Sequence, residues 1–143
     1  MKNISITNAG LVLRIALGIT MLSAVADRFG LWGAPGDPGV AWGNWENFIA
    51  YTQTLNSFAS KSVAGILGAL ATTFEIVFGI FLIIGFKTRI TALGTAGLML
   101  LFALSMALSS TIKAPLDYSV LTSSAAALLL SAIDRTSFAL DNR

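Results

Sequence analysis

Apolar residues dominate four stretches of the chain, and the polar residues collect between them. Each stretch is close to the length of about 20 apolar residues that a helix needs to cross a bilayer. The spans are predicted at about 9–27, 62–86, 90–110 and 118–133. We therefore predict an all-α membrane protein, a bundle of four transmembrane helices that forms one domain over residues 1–143.

The second span carries a single ionisable residue, Glu75, near its middle. At helical spacing the small and polar positions share one face: Gly65, Gly68, Thr72, Glu75 and Gly79. Bulky residues cover most of the remaining surface: Ile66, Leu70, Phe74, Val77, Phe81 and Ile84. Small residues let membrane helices approach closely. The Glu75 face is therefore predicted to face other helices and the bulky surface to face lipid.

Residues 28–61 are rich in Gly and Pro and contain all three Trp residues. Gly and Pro interrupt regular structure, and Trp favours the membrane interface. Within this loop, Asn44 is a good helix cap, and an apolar stripe that includes Trp45 and Phe48 follows it. We predict a short interfacial helix over about 44–57 that lies across the mouth of the bundle. The alternative is a helix that only packs the loop.

Arg14 is a second charge inside an apolar stretch, about one turn from the middle of the first span. Its side chain either snorkels to the interface or reaches a carboxylate. An unpaired charge at the centre of a bilayer costs at least about 2.5 to 3.5 kcal/mol. Arg14 and Glu75 are therefore predicted to pair across adjacent antiparallel helices, with snorkelling as the alternative.

Hydroxyl side chains accumulate toward the membrane side that carries the Trp-rich loop. Together they predict a polar pocket above Glu75 and Arg14, lined by Thr20, Ser23, Thr72, Ser105, Ser109, Ser119, Thr122 and Ser123. The aromatic residues predicted to cover it are Trp32, Trp42, Trp45 and Phe48. The alternative is that these hydroxyls are packing residues that bond to their own backbone carbonyls, as often happens in spanning helices.

Composition agrees with an integral membrane protein. Hydrophobic residues make up 55% of the 143 residues and charged residues 11%, whereas about a quarter of the residues in a soluble domain are charged. The net charge of +2 has no basic cluster behind it, which argues against nucleic-acid binding. There is no Cys and no His. Disulfides, thiol redox chemistry and zinc sites are therefore excluded, and no metal site or intrinsic cofactor is predicted.

Cations are more numerous at the membrane side that carries the N-terminus, where Lys2, Lys87, Arg89, Arg135 and Arg143 fall. The opposite side holds fewer cations and several carboxylates. The positive-inside rule then places both termini in the cytoplasm, and a bacterial inner membrane is the expected location. The Trp-rich loop would be extracytoplasmic.

The chain resembles the DoxX-like membrane proteins over its four spans. Four segments carry the resemblance: residues 13–18 (LRIALG), the aromatic segment with Trp45, Phe48 and Tyr51, residues 75–79 (EIVFG) and residues 85–89 (GFKTR). The resemblance implies a four-helix bundle similar to that of vitamin K epoxide reductase, with Arg14 and Glu75 as buried polar positions. The resemblance links the chain to thiosulfate:quinone oxidoreductase subunits, to membrane oxidoreductase complexes involved in thiol and oxidative-stress handling and, through more distant relatives, to receptor-assembly chaperones.

Three functions remain open. The first is a subunit of a membrane oxidoreductase that binds a quinone, or another lipophilic or sulfur-containing ligand, near the Arg14 and Glu75 charges. The second is a noncatalytic assembly factor or structural subunit that contacts other membrane proteins or further copies of itself. The third is a small carrier with Glu75 as its titrating group. Without Cys or His, redox groups would come from the ligand or a partner.

Overall fold

The computed structural model describes residues 5–142, and every regular element in that range is helical. The elements are α1 (Ile6–Arg28), α2 (Trp45–Leu55), α3 (Lys61–Ile84), α4 (Thr88–Ser109), α5 (Lys113–Asp117), α6 (Val120–Ser131) and a final 3-10 turn (Leu140–Asn142). The predicted all-helical class is confirmed, and α2 lies inside the range expected for the interfacial helix.

Three of the helices, α1, α3 and α4, are long and apolar enough to cross a membrane. The fourth apolar helix, α6, has 12 residues and is about 18 Å long at the usual rise per residue. That is shorter than a hydrocarbon core of about 30 Å. The structure thus supports a membrane-embedded chain with three spanning helices and a shorter apolar helix. A fourth complete span, and one domain over 1–143, remain predictions.

Local sequence signals define where the helices begin and end. Ser60 accepts a hydrogen bond from the Val63 N–H at the start of α3, and Asn44 accepts one from the Asn47 N–H at the start of α2. These side chains satisfy N–H groups that have no partner within the helix. Gly85 ends α3 in the left-handed conformation (φ 70°), which glycine adopts at little cost.

The helices pack as two antiparallel pairs, α1 with α3 and α4 with α6, and α2 lies against α3. Their shared core is narrow and consists of Leu17, Met21, Leu82, Ala92, Ala96, Ala127 and Leu130. On α3 the buried face is Ala64, Gly68, Thr72, Glu75, Gly79 and Leu82. Ile66, Leu70 and Phe74 are exposed. The prediction that Glu75 lies on a buried face of small residues is therefore confirmed, except that Gly65 lies beside this face and is half-buried. Most of the bulky residues point outward as predicted, and Phe81 is half-buried.

Two glycines set the register between α1 and α3. A Cβ atom on Gly18 would lie 2.8 Å from the carbonyl oxygen of Gly79, and one on Gly79 would lie 3.2 Å from the carbonyl oxygen of Gly18. The two backbones therefore touch at this level, as small residues permit. This contact decides which side chains of α1 can reach which side chains of α3.

Candidate functional site

The bundle has two ends, each with a buried arginine. We call the end that carries α2 the α2 end, and the end at which α1 starts and α3 stops the terminal end. At the α2 end, Arg28 forms an ion pair with Glu75, and both side chains are 3% exposed. Arg28 also donates a hydrogen bond of 2.7 Å to the Thr72 hydroxyl. The charge pair therefore joins the last residue of α1 to the middle of α3.

The predicted partnership of Arg14 with Glu75 is not what the structure shows. Arg14 lies 14 positions before Arg28, or about 21 Å along α1. With Gly18 against Gly79 in antiparallel helices, Arg14 lies beside residue 83, near the end of α3. Arg28 lies beside about residue 69, and its long side chain reaches along α3 to Thr72 and Glu75. Arg14 does not snorkel into solvent either, because it is only 1% exposed.

Two aromatic rings cover the charge pair. The Arg28 guanidinium carbon lies 4.0 Å from the centre of the Phe48 ring and 5.3 Å from that of Trp42. Cations at such distances are attracted to the ring faces. Phe48 comes from α2 and Trp42 from the preceding loop, so both segments are anchored on Arg28. These two members of the predicted cover lie over the charge pair.

The other two predicted cover residues lie to the side. Trp45 stacks on Phe29, with 5.8 Å between the ring centres, and contacts Phe48. Trp32 is 62% exposed, and its indole N–H donates to the Ser23 carbonyl oxygen at 3.0 Å. Trp45 therefore packs against Phe48, one of the two rings over the charge pair, whereas the ring of Trp32 is largely exposed.

Asp27 fixes the loop that carries Trp42. Its carboxylate accepts hydrogen bonds from the backbone N–H groups of Ala41, Trp42 and Gly43 at 2.9, 3.1 and 3.2 Å. Neither Asp27 nor Arg28 was predicted as a site residue. A signal existed for Asp27, because an acid at the C-terminal end of a helix is unfavourable unless other donors compensate, and a Gly-rich loop supplies such donors.

Thr20 and Ser23 lie in the wall of a shallow cavity of about 310 Å³ at the α2 end. Its lining is Thr20, Ser23, Ala24, Asp27, Trp32, Gly39, Ala41 and Trp42. Glu75 is not part of this wall; it lies behind Trp42 and Arg28. The structure thus brings two of the predicted hydroxyls together with two of the predicted Trp residues, beside the charge pair rather than above it.

Of the predicted hydroxyls, only that of Thr72 bonds to the charge pair, by accepting a hydrogen bond from Arg28. Thr20, Ser109 and Ser123 donate to the carbonyl oxygens of Ala16, Met106 and Ser119, all in their own helix or its cap. Ser105, Ser119 and Thr122 make no side-chain hydrogen bond to Glu75 or Arg28 among residues 5–142. For Thr20, Ser109 and Ser123, the alternative of backbone-bonded hydroxyls describes the observed contacts.

At the terminal end, Arg14 holds the segment 136–142, which we call the C-terminal strap. Its guanidinium donates to the Thr136 hydroxyl at 3.1 Å and to the carbonyl oxygens of Ser137 and Phe138 at 3.3 Å. A Cβ atom on Gly85 would collide with this guanidinium and with Ala139. Glycine at position 85 therefore makes room for both the arginine and the strap.

The strap also completes the start of α4. Lys87 precedes α4 with a left-handed backbone (φ 46°) and provides no side-chain cap. Asp141 supplies it instead, accepting hydrogen bonds of 2.6 Å from the backbone N–H groups of Lys87 and Thr88. In return, the Asp141 N–H donates to the Gly85 carbonyl oxygen at 3.0 Å. A carboxylate is favourable at a helix N-terminus, where the backbone dipoles leave partial positive charge.

Two groups outside the spanning helices have shifted pKa values. Partial burial alone would raise the pKa of Asp141, but hydrogen bonds from the backbone and side chain of Thr88 and from the backbone of Lys87, together with the charge of Arg14, outweigh it and hold the pKa below its usual value. Burial raises the pKa of Tyr51 above 10, and Tyr118 adds to this. At neutral pH the Asp141 cap is therefore charged and Tyr51 is a neutral phenol.

A larger cavity of about 430 Å³ lies at the terminal end, between the strap, the start of α4 and the end of α6. Its wall includes Thr88, Arg89, Asp134, Arg135 and Asp141. Over residues 5–142 there is no group of three or more His, Cys, Asp or Glu side chains placed to hold a metal ion.

A model of the DoxX family matches residues 9–108 of the chain. This range covers α2 and α3 in full and nearly all of α1 and α4. It includes Arg14, Arg28, Glu75 and Gly85. The C-terminal strap lies beyond it. No curated protein and no solved structure matched the chain significantly.

Proposed function

The chain belongs to the DoxX family of membrane proteins, and within that family we propose that it is a small oxidoreductase subunit that binds a quinone headgroup at the α2 end. The observation that carries this proposal is the cavity of about 310 Å³ whose wall includes Trp32, Trp42, Thr20 and Ser23. Small-molecule sites are typically concave, with apolar walls and a few polar groups. This volume suits a headgroup, and its apolar tail would run in the surrounding lipid.

The chemistry of the wall suits a flat carbonyl compound. Indole rings provide faces on which a quinone ring stacks, and the hydroxyl of Ser23 can donate to a ketone oxygen. Trp42 links this wall to the charge pair, because its ring also lies 5.3 Å from the Arg28 guanidinium. Arg28 and Glu75 act here as positioning residues that hold Trp42, and not as groups that touch the ligand.

The electron donor in this proposal is a partner subunit. The chain has no Cys and no His, so it has no thiol couple of its own, and a quinone would be its only redox group. The proposal places the protein in a bacterial inner membrane with both termini in the cytoplasm. The cavity would then open on the outer side.

Direct binding of a short-tailed ubiquinone analogue to the purified protein in nanodiscs tests the proposal. Saturable binding is expected, and Trp32→Ala should weaken it by roughly threefold to tenfold, the contribution of one aromatic stack. Phe58→Ala is the matched control, because Phe58 is 86% exposed and lies outside the cavity wall. Absence of saturable binding, or equal affinity of Trp32→Ala and the wild type, would overturn the proposal.

A second function, as a noncatalytic structural subunit or assembly factor, is favoured by Gly65 on α3 and Gly97 on α4. A Cβ atom at either position would meet nothing within 4 Å, so each leaves a shallow notch on the surface where another helix can approach. Gly65→Leu and Gly97→Leu should then reduce co-purification of a membrane partner, or self-association, while quinone binding is unchanged. Retention of every partner in both variants would exclude this function.

A further inference from the structure

The middle of the C-terminal strap holds an apolar ring away from the protein. Phe138 is 89% exposed, and its backbone is in the left-handed region with φ of 55°. A bulky residue rarely adopts that conformation, because its Cβ crowds the backbone. The surrounding structure must therefore impose it.

Arg14 helps to hold this part of the strap in place. Its guanidinium donates to two carbonyl oxygens, that of Ser137, which precedes the strained residue, and that of Phe138 itself. On either side of Phe138, the Ser137 N–H donates to the Thr7 carbonyl oxygen and the Asp141 N–H to that of Gly85. Strained backbone held by its surroundings is a reason to look for a function. Here the result is a phenyl ring fixed in an exposed position.

The strap lies at the level of the membrane surface. Residues 85–87 form the short turn between α3 and α4, two helices long and apolar enough to span. A turn between two spans lies at the boundary between lipid and water, and Asp141 bonds directly to that turn through Gly85, Lys87 and Thr88. Phe138 is therefore at the depth where phospholipid headgroups meet acyl chains.

The charges around the strap are mostly positive. Lys87, Arg89 and Arg135 are all exposed at this end, and Arg89 and Arg135 share the wall of the 430 Å³ cavity. Asp141 in the same wall is bound to the start of α4, which leaves Asp134 as the opposing carboxylate.

We propose that the C-terminal strap is a site for anionic phospholipid, in which Phe138 inserts at the boundary of headgroups and acyl chains while Arg89 and Arg135 bind the phosphate. The basic side chains provide attraction to an anionic surface, and the ring provides apolar contact. The site is about a span's length from the quinone cavity and does not depend on it. It is also independent of which side of the membrane this end faces.

The absence of Cys from the sequence makes the position of residue 138 measurable. Phe138→Cys, labelled with bimane in liposomes of phosphatidylcholine and phosphatidylglycerol, should be quenched by lipids with a nitroxide near the headgroup. Ala34→Cys, at an exposed loop position of the α2 end, gives the reference for a label away from the strap. Quenching at position 138 no stronger than at position 34 would overturn the proposal.

The charge requirement is tested by native mass spectrometry of retained phosphatidylglycerol. Arg89→Gln with Arg135→Gln should lower its apparent affinity by about fivefold or more. Lys61→Gln with Lys113→Gln is the matched control, since it removes two exposed cations at the α2 end and should leave binding unchanged. Wild-type affinity in the Arg89 and Arg135 double variant, or an equal loss in the control, would overturn the proposal.

Discussion

Both ends of the bundle bury an arginine, but the partners differ in charge. Arg28 at the α2 end is paired with the carboxylate of Glu75, whereas Arg14 at the terminal end is bound by a hydroxyl and two backbone carbonyl oxygens. Removing one member of a buried ion pair leaves an uncompensated charge. Removing an arginine whose hydrogen-bond acceptors are all neutral leaves those acceptors unsatisfied and takes one favourable charge away from Asp141. Asp141 still keeps the backbone N–H groups of Lys87 and Thr88, so no buried charge is left without a partner. The two ends should therefore respond very differently to loss of one side chain.

The largest effect is expected for Glu75→Gln, which leaves Arg28 buried without a counter-charge. The free energy of unfolding should fall by about 3 to 5 kcal/mol, measured by denaturant or thermal unfolding in detergent. Glu46→Gln removes an exposed carboxylate of α2 and should change little. Equal stability of the two variants would show that the ion pair does not hold the α2 end together.

Gly85→Ala should come next, because the new Cβ would collide with Arg14 and Ala139 and the backbone is left-handed. We expect a loss of about 1 to 3 kcal/mol, together with faster proteolysis of the strap. Gly97→Ala is the matched control, since a Cβ there meets nothing within 4 Å and alanine favours helix. Intact protection of the strap in Gly85→Ala would contradict the packing described here.

Arg14→Gln sharpens the comparison of the two ends directly. Because its acceptors are neutral, the loss should be about 1 to 3 kcal/mol, smaller than for Glu75→Gln, and confined to the terminal end. Hydrogen exchange should rise in the strap and at the start of α4 but not in α2. If Arg14→Gln instead costs more than Glu75→Gln, the difference in partner charge is not what separates the ends.

The smallest effect is expected from the Asp141 cap and depends on pH. The pKa of Asp141 is lowered in the folded protein, so its contribution is present above the unfolded value near 3.8 and is lost as the pH falls through the lower folded value. Asp141→Asn should cost about 1 kcal/mol at neutral pH and should remove this part of the acid dependence. The measurement is the unfolding temperature from pH 6 down to pH 2, roughly the range in which carboxylates titrate. Identical acid curves for the two proteins would contradict the cap.

Features that depend on the sequence of a single helix could be predicted. Helical spacing alone placed Glu75 on the buried face of α3, and the Asn44 cap located the start of α2. The predicted partner of Glu75 was wrong, because the choice between Arg14 and Arg28 depends on how α1 and α3 are aligned with each other. The register is fixed by contact of Gly18 with Gly79, which spacing along a single helix does not reveal. Arg28 follows the last residue of the predicted first span, where a cation needs no partner inside the membrane, and so it was not predicted as a site residue.

The docking of the strap could not be predicted either, because it depends on contacts between residues far apart in the sequence. Residues 136–142 lie beyond the last predicted span, and their sequence has no periodic pattern that would predict a docked structure. Their value comes from Arg14 and from the uncapped start of α4, more than 50 positions away in each case. The hydroxyls of α4 and α6 misled in the opposite direction. They suggested a shared pocket, but Ser109 and Ser123 of the predicted set donate instead to backbone carbonyl oxygens three or four positions earlier in the chain.

The cap on α4 has a consequence for biosynthesis. Asp141 emerges from the ribosome 54 positions after Lys87, the first of the two residues whose N–H groups it binds. Until the strap has been made, the N–H groups of Lys87 and Thr88 at the start of α4 lack their carboxylate cap, and Arg14 lacks its hydrogen-bond acceptors. Only after residues 136–142 have been made can the start of α4 and Arg14 both gain their hydrogen-bond partners. Synthesis of the strap is thus a late step in the assembly of this end of the bundle, and a nascent chain stalled before residue 136 leaves Arg14 without the acceptors that it has in the folded protein.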